Sequence, residues 1–135
     1  MAPAFTTKRS VEGTLTFPDD VKGKVVVIRF WADWCPYCKG EMKDINDVYR
    51  RHRELGLELL AINTGQSHAK VNAFIRELDI TYPALMDEDT LISKRYGVAG
   101  LPTTFIIGRN GVVQDKLLGE VENATFERKV LAVLR

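Results

Sequence analysis

The chain has 135 residues, 45% hydrophobic and 27% charged, with 10 Gly, 5 Pro and a formal net charge of +1. That length suits one domain over residues 1–135, large enough to bury a core without disulfide or metal staples. Nineteen basic against eighteen acidic side chains leave no field to draw in nucleic acid or an anionic membrane, so neither is an expected partner. The longest uncharged apolar stretches, around Val25–Ile28 and Phe105–Gly108, are far too short to span a bilayer. Met1–Ser10 holds no hydrophobic signal-peptide core, so the chain reads as cytosolic or as the trimmed mature domain of an exported protein. No internal repeat or low-complexity run divides it.

In chain order, Gly13–Phe17 alternates like a short strand that Pro18-Asp19-Asp20 ends. Lys22-Gly23-Lys24 reads as a turn. Val25–Trp31 is β-branched and aromatic on nearly every residue, the pattern of a strand covered on both faces, interrupted by Arg29. A helix follows from near Cys35, with Met42, Ile45, Val48, Tyr49 and Leu55 as its apolar stripe and Gly56 as its cap. Glu58–Asn63 is a second buried strand, Ala69–Leu78 a helix, Pro83–Met86 a short strand and Leu91–Tyr96 a short helix. Thr103–Ile107 and Val112–Leu118 form a hairpin through Arg109-Asn110-Gly111. A last helix starts at Asn123 as N-cap and buries Phe126, Val130, Leu131 and Leu134. This order predicts an α/β domain whose mixed central sheet carries helices on both faces.

The two cysteines lie three apart in Cys35-Pro36-Tyr37-Cys38, after a buried strand and at the opening of a helix. There the orphan N–H groups and positive dipole end favour a thiolate at Cys35. Pro36 sits at an early helical position where its missing N–H costs nothing. The spacing puts the sulfurs on adjacent turns, within reach of a disulfide. Such a pair works as an exposed nucleophile, Cys35, and a recessed partner, Cys38, that attacks the mixed disulfide. A zinc site needs two more ligands that His52 and His68 are not spaced to supply. A structural staple closing so short a loop removes little chain entropy.

Phe30–Lys39 (Phe-Trp-Ala-Asp-Trp-Cys-Pro-Tyr-Cys-Lys) resembles the active-site segment of the thioredoxin superfamily, and Gly100–Ile107 its cis-proline segment. The resemblance narrows to the TlpA/ResA-like branch of extracytoplasmic thiol–disulfide oxidoreductases. Glu41 falls where that branch carries an acidic residue under the active site. The stretch Val71–Tyr96 looks like its helix–strand insertion, and Ala2-Pro3-Ala4-Phe5 like its leading signature. The resemblance implies a thioredoxin fold with that insertion and a short N-terminal hairpin. It also implies a cis bond at Leu101–Pro102, with Leu101 beside the cysteines. The chain departs from the pattern at Pro36-Tyr37, a dipeptide typical of glutaredoxins, at Arg29, and at Leu101.

The function implied is reduction of disulfides in protein partners, with apo-cytochrome c cysteines as the branch's best-known clients. It needs no cofactor beyond the Cys35–Cys38 disulfide, no metal, and an upstream protein reductant, in a monomer held in the periplasm or another extracytoplasmic space. The alternatives are a disulfide oxidase or isomerase on the same scaffold, and a redox-silent partner-binding module. Trp34, Pro36, Tyr37, Leu101 and Pro102 are the expected client contacts, with Trp31 in the core. Arg50-Arg51-His52-Arg53 reads as a solvated helix face, with His52 and His68 on the surface. Arg29 either snorkels to solvent or, if it points inward, requires a carboxylate, for which Glu41 is best placed.

Overall fold

The computed structural model describes residues 1–34 and 38–135, Cys38 only as the first residue of a helix. Its strands are β1 (Phe5–Lys8), β2 (Thr14–Phe17), β3 (Val25–Trp31), β4 (Leu57–Thr64), β5 (Ala84–Asp87), β6 (Thr103–Ile107) and β7 (Val113–Leu118). Its helices are α1 (Cys38–His52), α2 (His68–Leu78), α3 (Leu91–Arg95) and α4 (Asn123–Leu134). A five-stranded mixed sheet runs β5-β4-β3-β6-β7, with β3 parallel to β4 and antiparallel to β6. The inserted α2–β5 unit adds the edge strand, since β5 pairs in parallel with β4.

Every residue of β3 is buried, and strand alternation sends its side chains to two cores. Val25, Val27 and Trp31 join the apolar stripes of α1, α2 and α4, namely Met42, Ile45 and Val48, Val71 and Phe74, and Phe126 and Val130. Val26, Ile28 and Phe30 face the other way, onto Phe5, Leu15 and Phe17 of the β1–β2 hairpin and Ile92 and Tyr96 around α3. One face thus carries three helices, and the other the hairpin with one short helix. The hairpin also shields the β5 edge: Ser10 N donates to Ala84 O at 2.8 Å and Thr7 Oγ1 to Met86 O. Ahead of it, Tyr96 Oη donates to Pro3 O at 2.7 Å, and Phe5 stacks on Phe17 with ring centroids 5.4 Å apart.

Three local expectations need correction. Leu55 does not extend the α1 stripe: α1 ends at His52, Arg53–Leu55 form a tighter 3-10 turn, and Leu55 is exposed. Three residues per turn instead of 3.6 rotates it off the buried face. Gly56 closes that turn with φ 94°. Asn123 is not the α4 cap, because the Glu122 carbonyl already accepts from Phe126 N at 3.0 Å and Glu122 holds the cap position. His52 is not a free surface residue either. Its Nε2 lies 2.7 Å from Glu127 Oε2, which also accepts from Arg51 NH2 at 2.8 Å. These donors, Arg51 first, hold the Glu127 carboxyl below its ordinary range and stitch the end of α1 to α4. His68 stands at the surface, its Nδ1 3.2 Å from Glu88 Oε1.

Arg109 in the β6–β7 turn has a role that composition does not announce. Its guanidinium donates to Gly23 O at 3.1 Å, Leu55 O at 2.9 Å and Leu134 O at 3.3 Å. It thereby ties together the approach to β3, the turn before β4 and the end of α4. Arg109→Ala is expected to lower stability by about 1.5 kcal/mol, the worth of charge-assisted bonds partly replaceable by water. Urea unfolding measures this as a lower midpoint at unchanged slope, and a wild-type midpoint would remove the role.

Candidate active site

Three chain segments meet at one end of the sheet. β3 ends at Trp31 and leads through Asp33–Trp34 toward the cysteines. β6 begins at the same end, because Phe30 is in register with Thr103. β4, parallel to β3, brings Asn63 beside Trp31. The expectations for Cys35, Pro36, Tyr37 and the Cys38 side chain fall outside the described residues. What surrounds them in sequence is described.

Trp34 is 66% exposed, unlike Trp31, which is fully buried and packs on Phe74 with centroids 4.7 Å apart. Trp31 follows the strand alternation into the helix-side core, while Trp34 lies in a turn beyond the strand. The Leu101–Pro102 peptide bond is cis, Pro102 is buried and Leu101 partly so. Pro102 O accepts from Gly119 N at 2.9 Å, and Thr103 Oγ1 donates to Gly100 O at 2.6 Å. The segment is therefore held by its backbone on both sides. Leu118, in register with Thr103 and 70% exposed, adds an apolar side chain at this rim. Its neighbours in β7 alternate as an ordinary strand, so the sequence carries no sign of it.

Beneath this end lies the pairing anticipated for Arg29. It occupies the helix-side face of β3, between Val27 and Trp31, and is 1% exposed. Its NH2 donates to Glu41 Oε1 at 2.6 Å and its NH1 to Thr104 Oγ1, directly across the β3–β6 ladder, at 3.2 Å. The other Glu41 oxygen accepts from Val121 N at 2.8 Å. The carboxylate therefore joins β3 to α1 and to the loop entering α4, and it is 12% exposed. The alternative of a snorkelling Arg29 is set aside: a guanidinium at this depth is costly to bury without partners, and it has them. Arg29 Nε and Asn123 Oδ1 find no partner among the described residues. Tyr82, buried nearby, donates to Met42 O at 3.2 Å, and burial pushes its hydroxyl pKa well up.

On the opposite flank, Gln66 bonds to both Asn63 and Asp33, a contact with almost no signature in sequence. The one hint is that an apolar strand ends in a polar residue, Asn63, followed by Thr-Gly. No group of three or more His, Cys, Asp or Glu side chains able to hold a metal ion occurs among the described residues.

The arrangement is a thioredoxin-like α/β domain in which the sequence Cys-X-X-Cys runs from the end of β3 into the first residue of α1, and a cis-proline leads into β6 at the end of the sheet where β3 stops. The family model described as AhpC/TSA family matches residues 1–116. A thiol-disulfide oxidoreductase ResA of Bacillus cereus is 35% identical over 126 residues, covering 93% of this chain and 72% of that protein. Among solved structures, a thiol:disulfide interchange protein of the thioredoxin family from Chlorobium tepidum superposes with a TM-score of 0.89. It is 27% identical and is covered over 99% of this chain and 95% of its own. StoA of Bacillus subtilis shares the fold, with a TM-score of 0.80 at 24% identity, over 95% of this chain and 96% of its own. The chain belongs to the AhpC/TSA family and, within it, to the ResA-like thiol–disulfide oxidoreductases of the thioredoxin superfamily.

Proposed function

We propose that this enzyme reduces disulfides in partner proteins through Cys35 and Cys38 and needs no bound cofactor. The Cys35 thiolate attacks one sulfur of a client disulfide, forming a mixed disulfide and releasing the other client sulfur as a thiolate that takes up a proton. Cys38, losing its proton, then attacks the Cys35 sulfur. The second client thiol leaves, and the two electrons gained by the client are those lost in forming the Cys35–Cys38 disulfide. A protein dithiol upstream restores the pair.

The observation supporting this reading is the sequence position of the chain's only two cysteines: they follow β3, whose end lies where cis Leu101–Pro102 leads into β6, and the second of them is the first residue of α1. Exposed Trp34, partly buried Leu101 and buried Pro102, with Pro36 and Tyr37, form the client contact in this reading. Glu41 serves Cys38 from below and Arg29 tempers Glu41. The resemblance of Phe30–Lys39 and Gly100–Ile107 to the TlpA/ResA-like branch carries the proposal further, to reduction in an extracytoplasmic, otherwise oxidising space, by a monomer, with apo-cytochrome c cysteines as a client class. No helix among the described residues is long and apolar enough to cross a membrane.

Insulin reduction by the wild type and by Cys35→Ser tests the core of this. The wild type is expected to precipitate insulin B chains in the presence of dithiothreitol, and Cys35→Ser to match the uncatalysed rate. Equal rates for the two would make the domain a redox-silent binding module. Equilibration with glutathione fixes direction: a potential nearer −270 than −120 mV, roughly the span on this fold, suits a reductant.

A further inference from the structure

The flank of the site opposite Arg29 and Glu41 holds a polar clamp that the exchange mechanism does not use. Asn63 is the penultimate residue of β4 and is 0% exposed. A buried carboxamide needs partners, and both its bonds go to Gln66. Asn63 Oδ1 accepts from Gln66 N at 3.1 Å, and Asn63 Nδ2 donates to Gln66 Oε1 at 2.9 Å. Between them Gly65 turns the chain with φ 79° while its N–H donates to Asp87 O at 3.0 Å. The backbone at Gln66 is thus set by a buried side chain and an edge-strand carbonyl.

From that base the Gln66 side chain reaches 33 residues back in sequence. Its Oε1 accepts from Asp33 N at 2.8 Å, and its Nε2 donates to Asp33 Oδ1. The carboxamide orientation is unambiguous, because a flipped amide would set its NH2 against two donors, Asn63 Nδ2 and Asp33 N–H. Asp33 lies two residues before Cys35 and next to exposed Trp34. This clamp grips the backbone one residue before Trp34, the last described residue on the path from β3 to Cys35.

We propose that Gln66 is a positioning residue for thiol–disulfide exchange: braced by buried Asn63, it fixes the Asp33–Trp34 turn from which Cys35 and the client-facing tryptophan are presented. The proposal rests on Cys35 being the nucleophile. The loop after β4, where the α2–β5 insertion begins, thereby governs the geometry of the reacting loop. Small displacements matter in such a step, since a shift of about 1 Å at a reacting centre costs up to about a hundredfold in rate.

The test uses the insulin assay and the rate of iodoacetamide modification at a pH where the thiolate is fully formed, with thermal unfolding alongside. Gln66→Leu removes the three bonds made by the Gln66 side chain, leaving only the backbone N–H bond to Asn63 Oδ1, and is expected to slow both reactions about tenfold, chiefly in kcat/KM for insulin. Gln66→Glu sets two carboxylates face to face and is expected to behave alike. The exchange Asp33→Asn with Gln66→Glu rebuilds the clamp with the side-chain bond between positions 33 and 66 reversed and the other two bonds unchanged in direction. The carboxylate then sits on the β4 side and accepts from the backbone N–H at position 33, from Asn63 Nδ2 and from the amide placed opposite it. This exchange is expected to recover to within about twofold of wild type, since geometry and net charge are both kept.

Gln66→Leu at wild-type rates would overturn the proposal. So would a lowered unfolding temperature with unchanged thiol reactivity, and so would an exchange variant no faster than Gln66→Glu. Failure of the wild type itself to reduce insulin faster than Cys35→Ser would strike the functional reading instead, which keeps the two failures apart.

Discussion

A Cys38→Ser variant is expected to accumulate as a mixed disulfide with an oxidised client, while a Cys35→Ser variant forms none. The reason lies in the helix. α1 includes Cys38 as its first residue, and the N-terminal end of a helix, with its unpaired N–H groups and positive dipole, stabilises an anion. A cysteine ahead of a helix projects past its end and meets solvent, whereas one inside the first turn faces what packs beneath. On that basis Cys35 is expected to be the sulfur that clients reach, and Cys38 the one that releases them.

Release by Cys38 is intramolecular, with an effective concentration on the order of 10⁵ M for a well-oriented attack. Millimolar external thiol replaces it poorly, so the trapped complex should outlive the wild-type intermediate by at least about a thousandfold. Non-reducing electrophoresis and mass spectrometry count the adduct. Limiting iodoacetamide on the reduced wild type should label Cys35 first. Preferential labelling of Cys38, or turnover of Cys38→Ser at the wild-type rate, would reverse the assignment.

The parts of the fold that were legible are those where one physical signal dominates. β3 could be read from a run that is β-branched or aromatic on nearly every residue, and all seven of its residues are buried; β6 and β7 could be read from the Asn-Gly turn between them, and α1 from its apolar stripe. Departures arise where a tertiary contact overrides local preference. Asn123 has the chemistry of a cap, but the Glu41 carboxylate holds Val121 N and the helix opens at Glu122 instead. His52 carries no local mark of burial; Glu127, 75 residues away, captures it. β1 is nearly invisible because its four residues, Phe-Thr-Thr-Lys, are too few for a period to show. Its strand state comes from pairing with β2 and from lying along β5.

Within the site the same division holds. The cysteines and Pro102 stand out by residue type, and Arg29 by being the one charge in a buried strand. The Gln66 clamp stayed hidden, because a glutamine after a glycine in a loop is an ordinary surface residue until the strand order brings β4 beside β3. Leu118 likewise reads as a strand residue, and becomes part of the rim only through its register with Thr103.

Arg29→Asn is expected to raise the Cys35 pKa, Glu41→Gln to lower it, and the double variant to return it close to wild type. In the native protein the two charges lie 2.6 Å apart, so at the sulfurs their fields largely cancel. Removing the guanidinium leaves the Glu41 carboxylate alone beneath the pair, and a neighbouring anion disfavours thiolate. Removing the carboxylate leaves Arg29 alone, and a neighbouring cation does the reverse. At about 8 Å and an effective dielectric near 20, one charge is worth about 2 kcal/mol, or about 1.5 pKa units. If only the reduced form feels it, the potential shifts by about 45 mV, more reducing for Arg29→Asn and more oxidising for Glu41→Gln.

Stability should fall as well, by about 3–5 kcal/mol for either single change, because each leaves a charge buried without its partner. The double variant should lose less than the sum of the two. In the proposed exchange the same pairing would restrain Glu41 as a proton acceptor for Cys38, since its two oxygens already accept from Arg29 and from Val121 N. The pH dependence of iodoacetamide modification at Cys35 measures the pKa, and urea unfolding the stability. If neither single change moves the pKa by more than a few tenths of a unit while stability falls, the pair is a structural strut and takes no part in tuning the thiol.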